Sequence, residues 1–233
     1  MLPQVSKLKR VALDLIFPKW CLGCGRNGEF ICSSCHQLLP RVIPPICPQC
    51  GKPQPDNTLC PSCHNWSATI DGIRAPFRFA GLIREAIHQL KYQNLRALSE
   101  TLAKLLGDYL TANPIPGEVL VAVPIHERRL RERGYNQSYL LAQKLGKHLN
   151  LPVVDNCLRR RRHTPPQTET KTVAERRRNV ADAFTCADQR LMNKQVLLID
   201  DVATSGATLD ACARALKAAG ATSVWGLTLA REV

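Results

Sequence analysis

The fold is decided by the stretch Val196-Leu197-Leu198-Ile199-Asp200-Asp201-Val202-Ala203-Thr204-Ser205-Gly206-Ala207-Thr208-Leu209. Its four leading residues are apolar without polar alternation, which predicts a strand buried on both faces of a parallel sheet. An acidic pair follows where this strand is expected to end, and then a turn of small hydroxyl residues around a glycine. The apolar spacing from Leu209 to Leu216 predicts a helix after the turn. The stretch therefore indicates an α/β protein.

The turn at residues 204–208, here called the phosphate loop, is suited to an anion. A helix N-terminus offers unpaired backbone N–H groups and a partial positive charge, which together favour a bound phosphate. Gly206 allows the backbone to approach the ligand closely. Hydroxyl groups add further hydrogen-bond donors, from Thr204, Ser205 and Thr208.

The acidic pair, Asp200 and Asp201, suits the vicinal hydroxyls of a ribose or a magnesium ion. The whole stretch resembles the 5-phosphoribosyl-1-pyrophosphate (PRPP) binding motif of type I phosphoribosyltransferases, in which an apolar strand, two acids and a Thr/Gly-rich loop follow one another. Several purine-salvage members carry an acid in place of Thr204, where it serves as general base. A threonine hydroxyl cannot do so near neutral pH, so a transferase built on this sequence needs another base or an anionic acceptor.

Four Cys-x-x-Cys units occupy fewer than fifty residues near the start of the chain, as expected for a double zinc ribbon. Sequential pairing gives two four-thiolate sites, and a crossed pairing of first with third and second with fourth units stays open. Four thiolates leave no open coordination position, which indicates structural zinc. His36 and His64 adjoin the array as alternative ligands, and disulfides are the alternative chemistry. The predicted ligands are Cys21, Cys24, Cys32, Cys35, Cys47, Cys50, Cys60 and Cys63.

Length and composition bound the rest. The 233 residues are 45% hydrophobic, which allows one or two domains with a sizeable core. Lys and Arg number 32 against 19 Asp and Glu, a formal net charge of +13. Two zinc sites of about −2 each would leave about +9. A sugar phosphate, a nucleic acid or an acidic surface are therefore the expected partners.

Residues 1–18 carry apolar side chains on one helical face, which predicts an N-terminal amphipathic helix that docks on the protein's own core or, alternatively, on a membrane. Asp14 interrupts the apolar run and no small-residue cleavage site follows, so we expect no signal peptide. No stretch is long enough to span a membrane. The predicted location is cytoplasmic, and the predicted domains are residues 1–18, 19–66 and 67–233.

A second apolar strand is predicted at Val119–Val123, after a strand or hairpin arm at Ile70–Ala80 and helical spacing from Leu82 to Leu110. It runs into an arginine-rich, turn-rich segment at residues 124–138, and a helix is predicted from Ser138 to Leu149. This segment is expected to lie near the pyrophosphate of PRPP. The arginines predicted to neutralise it are Arg128, Arg129 and Arg133.

The segment from Arg159 to Arg162, followed by Thr164-Pro165-Pro166-Gln167-Thr168 and then Arg176–Arg178, is rich in arginine and proline. A mobile loop that closes over PRPP is one interpretation, because water must be kept from the reactive carbon. A solvated basic linker is the other.

In sequence order, the four Cys-x-x-Cys units, Val-Pro with Arg-Gly-Tyr-Asn-Gln, Thr-Pro-Pro-Gln and the Asp-Asp loop resemble the ComF family, which includes the GntX proteins. The resemblance implies a parallel-sheet, type I phosphoribosyltransferase-like domain preceded by a small zinc-ribbon module, and a link to natural competence. It implies PRPP-binding positions at Asp200, Asp201 and residues 203–208, beginning at Ala203 and including Ala207. The family's second motif falls on Arg133, Gly134, Asn136 and Gln137.

Two functions follow. In the first, magnesium and PRPP bind, and the phosphoribosyl group passes to an unknown acceptor, with Asp200, Asp201 and Arg133 as the catalytic residues. In the second, the same pocket senses PRPP or a nucleotide without turnover, while the basic surface binds single-stranded DNA. The zinc module then docks on its own domain, on a DNA-uptake helicase or on a membrane channel protein.

Overall fold

The computed structural model describes residues 19–160 and 183–233, which fall into two compact units divided between Leu39 and Pro40. The smaller unit holds the first four cysteines of the array and helix α1, Ser33–Gln37. The larger unit holds the other four cysteines together with the sheet. The predicted N-terminal helix at residues 1–18 lies outside the described residues, and so do residues 161–182, which contain most of the arginine- and proline-rich segment that begins at Arg159. The predicted domain limits stay predictions.

A five-stranded parallel sheet forms the centre of the larger unit, as the sequence predicted. Strand β7 pairs on one side with β1 and β2 and on the other with β6, which in turn pairs with β3. A separate antiparallel pair is formed by β4 and β5. The strands are β1 Gly72–Arg74, β2 Phe77–Arg78, β3 Val119–Ala122, β4 Leu158–Arg160, β5 Phe184–Cys186, β6 Gln195–Ala203 and β7 Ser223–Arg231.

Helices cover the sheet through apolar faces at helical spacing. Helix α3, for example, buries Ile83, Ala86, Ile87 and Leu90, which lie three or four residues apart. A short 3₁₀ turn at Gln189–Leu191 precedes β6. The remaining helices are α2 Pro61–His64, α3 Gly81–Tyr92, α4 Leu98–Ala112, α5 Glu127–Arg133, α6 Gln137–Leu149 and α7 Ala207–Ala218.

The core confirms the prediction for β6, since the four apolar residues at 196–199 are all buried. The strand does not end at the acidic pair, however, but continues to Ala203, because its ladder with β7 runs on to the pair Ala203 and Arg231. Both acids therefore lie inside the second half of the strand. Within the described ranges, no helix has the length and apolar character that crossing a membrane requires.

The strand alternative for residues 70–80 is confirmed, since two short strands there run parallel to β7, and the hairpin alternative is wrong. Two further predictions needed correction. The segment at residues 124–138 contains helix α5, which carries i,i+4 ion pairs on its surface. Arg159 and Arg160, expected in an irregular loop, belong to β4 and pair with Thr185 and Phe184 of β5.

Candidate functional site

Asp200 lies in β6, where a side chain from a distant helix fixes its carboxylate. The hydroxyl of Ser138, a fully buried residue in the first turn of α6, donates to Asp200 Oδ1 over 2.7 Å. The backbone N–H of Asp201 donates to the same oxygen over 2.9 Å. Burial and the neighbouring Asp201 carboxylate nevertheless raise the pKa of Asp200 to about 7. The site therefore holds a carboxyl group that is poised to change protonation near neutral pH.

The carboxylate of Asp201, only 3% exposed as a residue, forms an ion pair with Lys91 Nζ at the end of α3. Its other oxygen accepts the backbone N–H of Val202 over 3.0 Å. Because a buried charge requires a partner, the Lys91 ammonium compensates the Asp201 carboxylate. The acidic pair is thus asymmetric, with Asp200 facing a hydroxyl and Asp201 facing a cation.

The phosphate loop follows β6 and ends at the N-terminus of α7, as predicted. Gly206 is the residue before the helix and has a φ of +78°, which favours glycine. The Ser205 hydroxyl oxygen accepts the N–H of Ala207 over 3.4 Å. Backbone N–H groups and side-chain hydroxyls at a helix N-terminus suit a phosphate. Among the three hydroxyl residues of the loop, Ser205 is buried, whereas Thr204 and Thr208 are half-buried.

The arginines of the segment at residues 124–138 have two kinds of environment, a surface ion pair and the wall of a cavity. Arg128 pairs with Glu132 over 2.8 Å on the exposed face of α5. Arg129 and Arg133 instead line a cavity of about 260 Å³. This cationic cavity is lined by Lys91, Tyr92, Asn94, Arg129, Glu132, Arg133 and Tyr135.

The predicted residues of the second motif mostly shape the backbone. Gly134 ends α5 with a φ of +76°, and Asn136 caps α6 by accepting the N–H of Ser138 over 3.0 Å. Asn136 also donates its side-chain amide to the carbonyl of Val123 at the end of the β3 segment, over 2.9 Å. Arg133 donates to the side-chain oxygen of buried Gln137. These contacts place Ser138 where it reaches Asp200.

A second cationic residue lies near the acids. Burial lowers the pKa of Arg160 in β4, and so does the neighbouring charge of Arg129, while Asp200 acts in the opposite direction. The Arg160 guanidinium lies 5.6 Å from the centre of the Phe184 ring. Cations from three separate segments, at residues 91, 129 and 160, therefore surround the acidic pair or the cavity beside it.

The eight predicted zinc ligands form two tetrads with sequential pairing, so the crossed scheme is wrong. In each tetrad all four ligand sulfurs lie within 4.8 Å of one another. The Sγ to Sγ distances from Cys24 to Cys32 and from Cys50 to Cys60 are both 3.6 Å, close to the ~3.8 Å edge of a tetrahedron with ~2.3 Å zinc to sulfur bonds. The donor sets therefore fit two structural zinc ions.

The second tetrad, Cys47, Cys50, Cys60 and Cys63, is buried at every position, whereas Cys24 of the first is exposed. Burial alone would raise the pKa of Cys47, but the backbone N–H groups of Cys50, Cys60 and Gln49 lower it to about 7. Burial raises the pKa of Cys50 and Cys63 in the same tetrad, so zinc binding there would release protons from these thiols.

Sequence reasoning missed three residues of the site: Lys91, Ser138 and Arg231. Arg231, at the end of β7, is 1% exposed and donates through Nη2 to the carbonyl of Thr204 in the phosphate loop over 3.4 Å. Each lies far along the chain from the residue that it contacts. The sole sequence signal was a charged residue that interrupts or ends an apolar run, as Arg231 does after Leu227-Thr228-Leu229-Ala230.

Comparison with known proteins gives two matching family models. The model described as a double zinc ribbon domain matches residues 12–64, and that of a phosphoribosyl transferase domain matches residues 135–232. The chain thus carries a double zinc ribbon and a phosphoribosyltransferase domain, in that order.

Full-length relatives are also similar. Competence protein F of Haemophilus influenzae is 30% identical over 229 residues, which cover 90% of this chain and 96% of that protein. Competence protein ComFC of Bacillus subtilis is 28% identical, covering 89% of this chain and 86% of that protein. DNA utilization protein YhgH of Escherichia coli K12 is 31% identical, covering 84% and 89% respectively.

Proposed function

The chain belongs to the ComF family, and from this we propose that it binds PRPP with magnesium and transfers the phosphoribosyl group to an acceptor, in a process that takes up or uses external DNA. The observation that carries the proposal is the Ser138 to Asp200 hydrogen bond. It joins the arginine-rich segment to the acidic pair, so that groups for both ends of PRPP converge on one edge of the sheet. The names of the relatives, competence and DNA utilization proteins, support the biological role.

Each part of PRPP has a matching group. The 5-phosphate is assigned to the phosphate loop, where the helix N-terminus and the hydroxyls of Thr204 and Thr208 favour an anion. The ribose hydroxyls are assigned to Asp200 and Asp201, whose carboxylates accept hydrogen bonds. A magnesium ion bound there would neutralise charge on the pyrophosphate as it leaves.

The pyrophosphate is assigned to the cationic cavity. Lys91, Arg129 and Arg133 line it, and three cations can stabilise the negative charge that develops on a leaving pyrophosphate. Arg128 is less suited to this role than predicted, because it does not line the cavity and is already paired with Glu132. We therefore transfer its assigned role to Lys91.

The acceptor is proposed to be anionic. Position 204 holds a threonine, so no general base occupies the place that an acid fills in purine salvage. An acceptor that is already deprotonated needs no base, and the charge of Arg129 and Arg160 beside the acidic pair favours such a molecule.

Titration calorimetry of magnesium and PRPP into the zinc-loaded protein tests the proposal. Binding is expected in the parent protein and its loss in Asp200→Asn/Asp201→Asn, whereas Asp108→Asn, at an exposed ion pair on α4, should bind like the parent. Release of pyrophosphate in the presence of anionic acceptors would then establish transfer. A folded parent protein that does not bind PRPP would sink the proposal.

A second candidate, sensing without turnover combined with single-stranded DNA binding, is favoured by Tyr92. The residue is 65% exposed and its ring lies 5.5 Å from the Arg133 guanidinium, an arrangement that can stack a base. Tyr135 and Phe184, whose rings also lie against arginine side chains, are each only 6% exposed and offer no such face. PRPP binding without pyrophosphate release, together with salt-sensitive binding of an oligonucleotide, would support this candidate.

A further inference from the structure

Tyr135 lies in the turn between helices α5 and α6. It follows Gly134, which ends α5, and precedes Asn136, which caps α6. The residue is buried, and the Arg96 guanidinium lies 4.5 Å from the centre of its ring. Its hydroxyl donates to the backbone carbonyl of Leu90, 45 residues earlier in the chain. A hydrogen bond therefore joins this turn to helix α3.

The Leu90 carbonyl lies where a helix lacks partners of its own. Helix α3 ends at Tyr92, so this carbonyl is one of the last four of the helix, which have no partner within the helix. Leu90 is fully buried, and a buried carbonyl without a partner is costly. Burial raises the pKa of Tyr135, so its hydroxyl keeps the proton that it donates. The phenol thus fixes the last turn of α3.

That last turn carries two residues of the site. Lys91, directly after the bonded carbonyl, forms the ion pair with Asp201 and also lines the cationic cavity. The ring of Tyr92 lies 5.5 Å from the guanidinium of Arg133, which lines the same cavity. The contacts of Tyr135 are therefore continuous from the arginines of α5 to the acidic pair.

The position of the Lys91 ammonium decides which negative charges it can reach. The ammonium pairs with Asp201, while the same side chain borders the cavity that Arg129 and Arg133 line. A lysine has a flexible four-carbon stem, so the place of its ammonium depends on where its backbone is held. Movement of the last turn of α3 would take the charge away from the acidic pair, the cavity or both.

We infer that Tyr135 is a positioning residue, whose hydroxyl holds Lys91 between the acidic pair and the cationic cavity. The hydroxyl proton is already donated to the Leu90 carbonyl, so the effect on a ligand passes through α3 and Lys91. The inference rests on the proposed function, because it takes this cavity as the pyrophosphate site of PRPP.

Tyr135→Phe tests the inference, since it removes the hydroxyl and keeps the ring. Titration calorimetry of the zinc-loaded protein, with magnesium present, compares PRPP, pyrophosphate and ribose 5-phosphate. We expect PRPP and pyrophosphate to bind about tenfold more weakly to the variant, as loss of one hydrogen bond predicts. Ribose 5-phosphate, whose phosphate is assigned to the phosphate loop, should bind as it does to the parent. A merely structural defect would weaken all three ligands alike.

Two further variants complete the test. Tyr139→Phe is the matched control, because it removes a hydroxyl in α6 that lies 3.5 Å from Asp155 Oδ2, and it should bind all three ligands like the parent. In a Lys91→Met background, Tyr135→Phe should add less than about twofold to the loss of pyrophosphate binding, because the two residues act as one unit.

Each outcome decides between the alternatives. Parent-like binding of PRPP and pyrophosphate by Tyr135→Phe would overturn the inference and leave the proposed function intact. An equal loss for all three ligands, or additive losses in the double variant, would also overturn it. Absence of PRPP binding by the parent would remove the proposed function and the inference together. Should Lys91→Met fail to fold, the comparison of PRPP with ribose 5-phosphate in Tyr135→Phe decides the question without it.

Discussion

Ser138 Oγ and Asp200 Oδ1 are 2.7 Å apart although 62 residues separate them in the sequence. The hydroxyl favours the ionised form of the carboxyl group against the effect of burial. We expect Ser138→Ala to weaken PRPP binding about tenfold, because an unpaired buried acceptor costs 1–3 kcal/mol. Calorimetry checks this. The control is Ser99→Ala, another buried serine, whose hydroxyl donates to the carbonyl of Arg96. Equal losses in both variants would contradict a specific role for Ser138.

Removal of Lys91 should lower the stability of the protein, because the acidic pair is buried. Lys91→Met leaves the buried Asp201 carboxylate without its cation, so we expect the free energy of unfolding to fall by ~3 kcal/mol. Lys104→Met removes an exposed ion pair with Asp108 and should cost under ~1 kcal/mol. Urea denaturation of the zinc-loaded protein measures both. Similar values for the two variants would show that Asp201 is solvated.

Asp200 should make stability depend on pH. Its folded-state pKa of about 7 lies above the unfolded value of ~3.9, so the folded state binds more protons between these values. The contribution of this group to stability is therefore lost as pH rises from ~4 to about 7.

We accordingly expect Asp200→Asn to be more stable than the parent by ~4 kcal/mol at pH 8 and to show no gain at pH 4. Unfolding curves in zinc-loaded, magnesium-free buffer at the two pH values test this expectation. An equal difference at both would mean that Asp200 does not titrate in this interval. A gain in stability with loss of PRPP binding would show that the acid is retained for its ligand.

Gly206 combines a left-handed backbone conformation with close packing, so Gly206→Ala should destabilise the protein through both backbone strain and steric overlap. Its φ of +78° disfavours a side chain by ~1–2 kcal/mol, and the new methyl group meets Ile73 and Trp66. Gly81→Ala has a φ of +49° with nothing within 4 Å and should carry the backbone cost alone. We expect the melting temperature to fall further for Gly206→Ala than for Gly81→Ala, and PRPP binding to weaken at position 206 alone. If the two variants melt together, the loop has room to adjust.

The sequence was informative where structure depends on local pattern. The apolar run at residues 196–199, the small-residue turn and the Cys-x-x-Cys spacing each act over a few residues, and the sheet, the phosphate loop and both tetrads followed from them. The strand end was misplaced because β6 is prolonged by its ladder with β7, whose sequence gives no sign of that register.

The missed residues share a different cause. Lys91, Ser138 and Arg231 act on Asp201, Asp200 and Thr204 through contacts that only the folded chain creates. A charged residue that becomes buried needs a partner, but the sequence does not identify which residue that partner is. The sequence analysis also missed helix α5. A run of Glu and Arg is equally compatible with a charged loop and with an exposed helix that carries i,i+4 ion pairs.

The division between Leu39 and Pro40 has a consequence for dissecting this protein into fragments. Removal of residues 1–66 would eliminate the hydrogen bonds from Gln49 to the carbonyl of Ile70 and from the N–H of Ile73 to the carbonyl of Gln49. It would also remove Trp66 together with the four cysteines that it packs against. A fragment that starts at Pro40 keeps these contacts. Deletion mapping that treats both zinc ribbons as one removable tail would therefore damage the sheet and mistake instability for lost function.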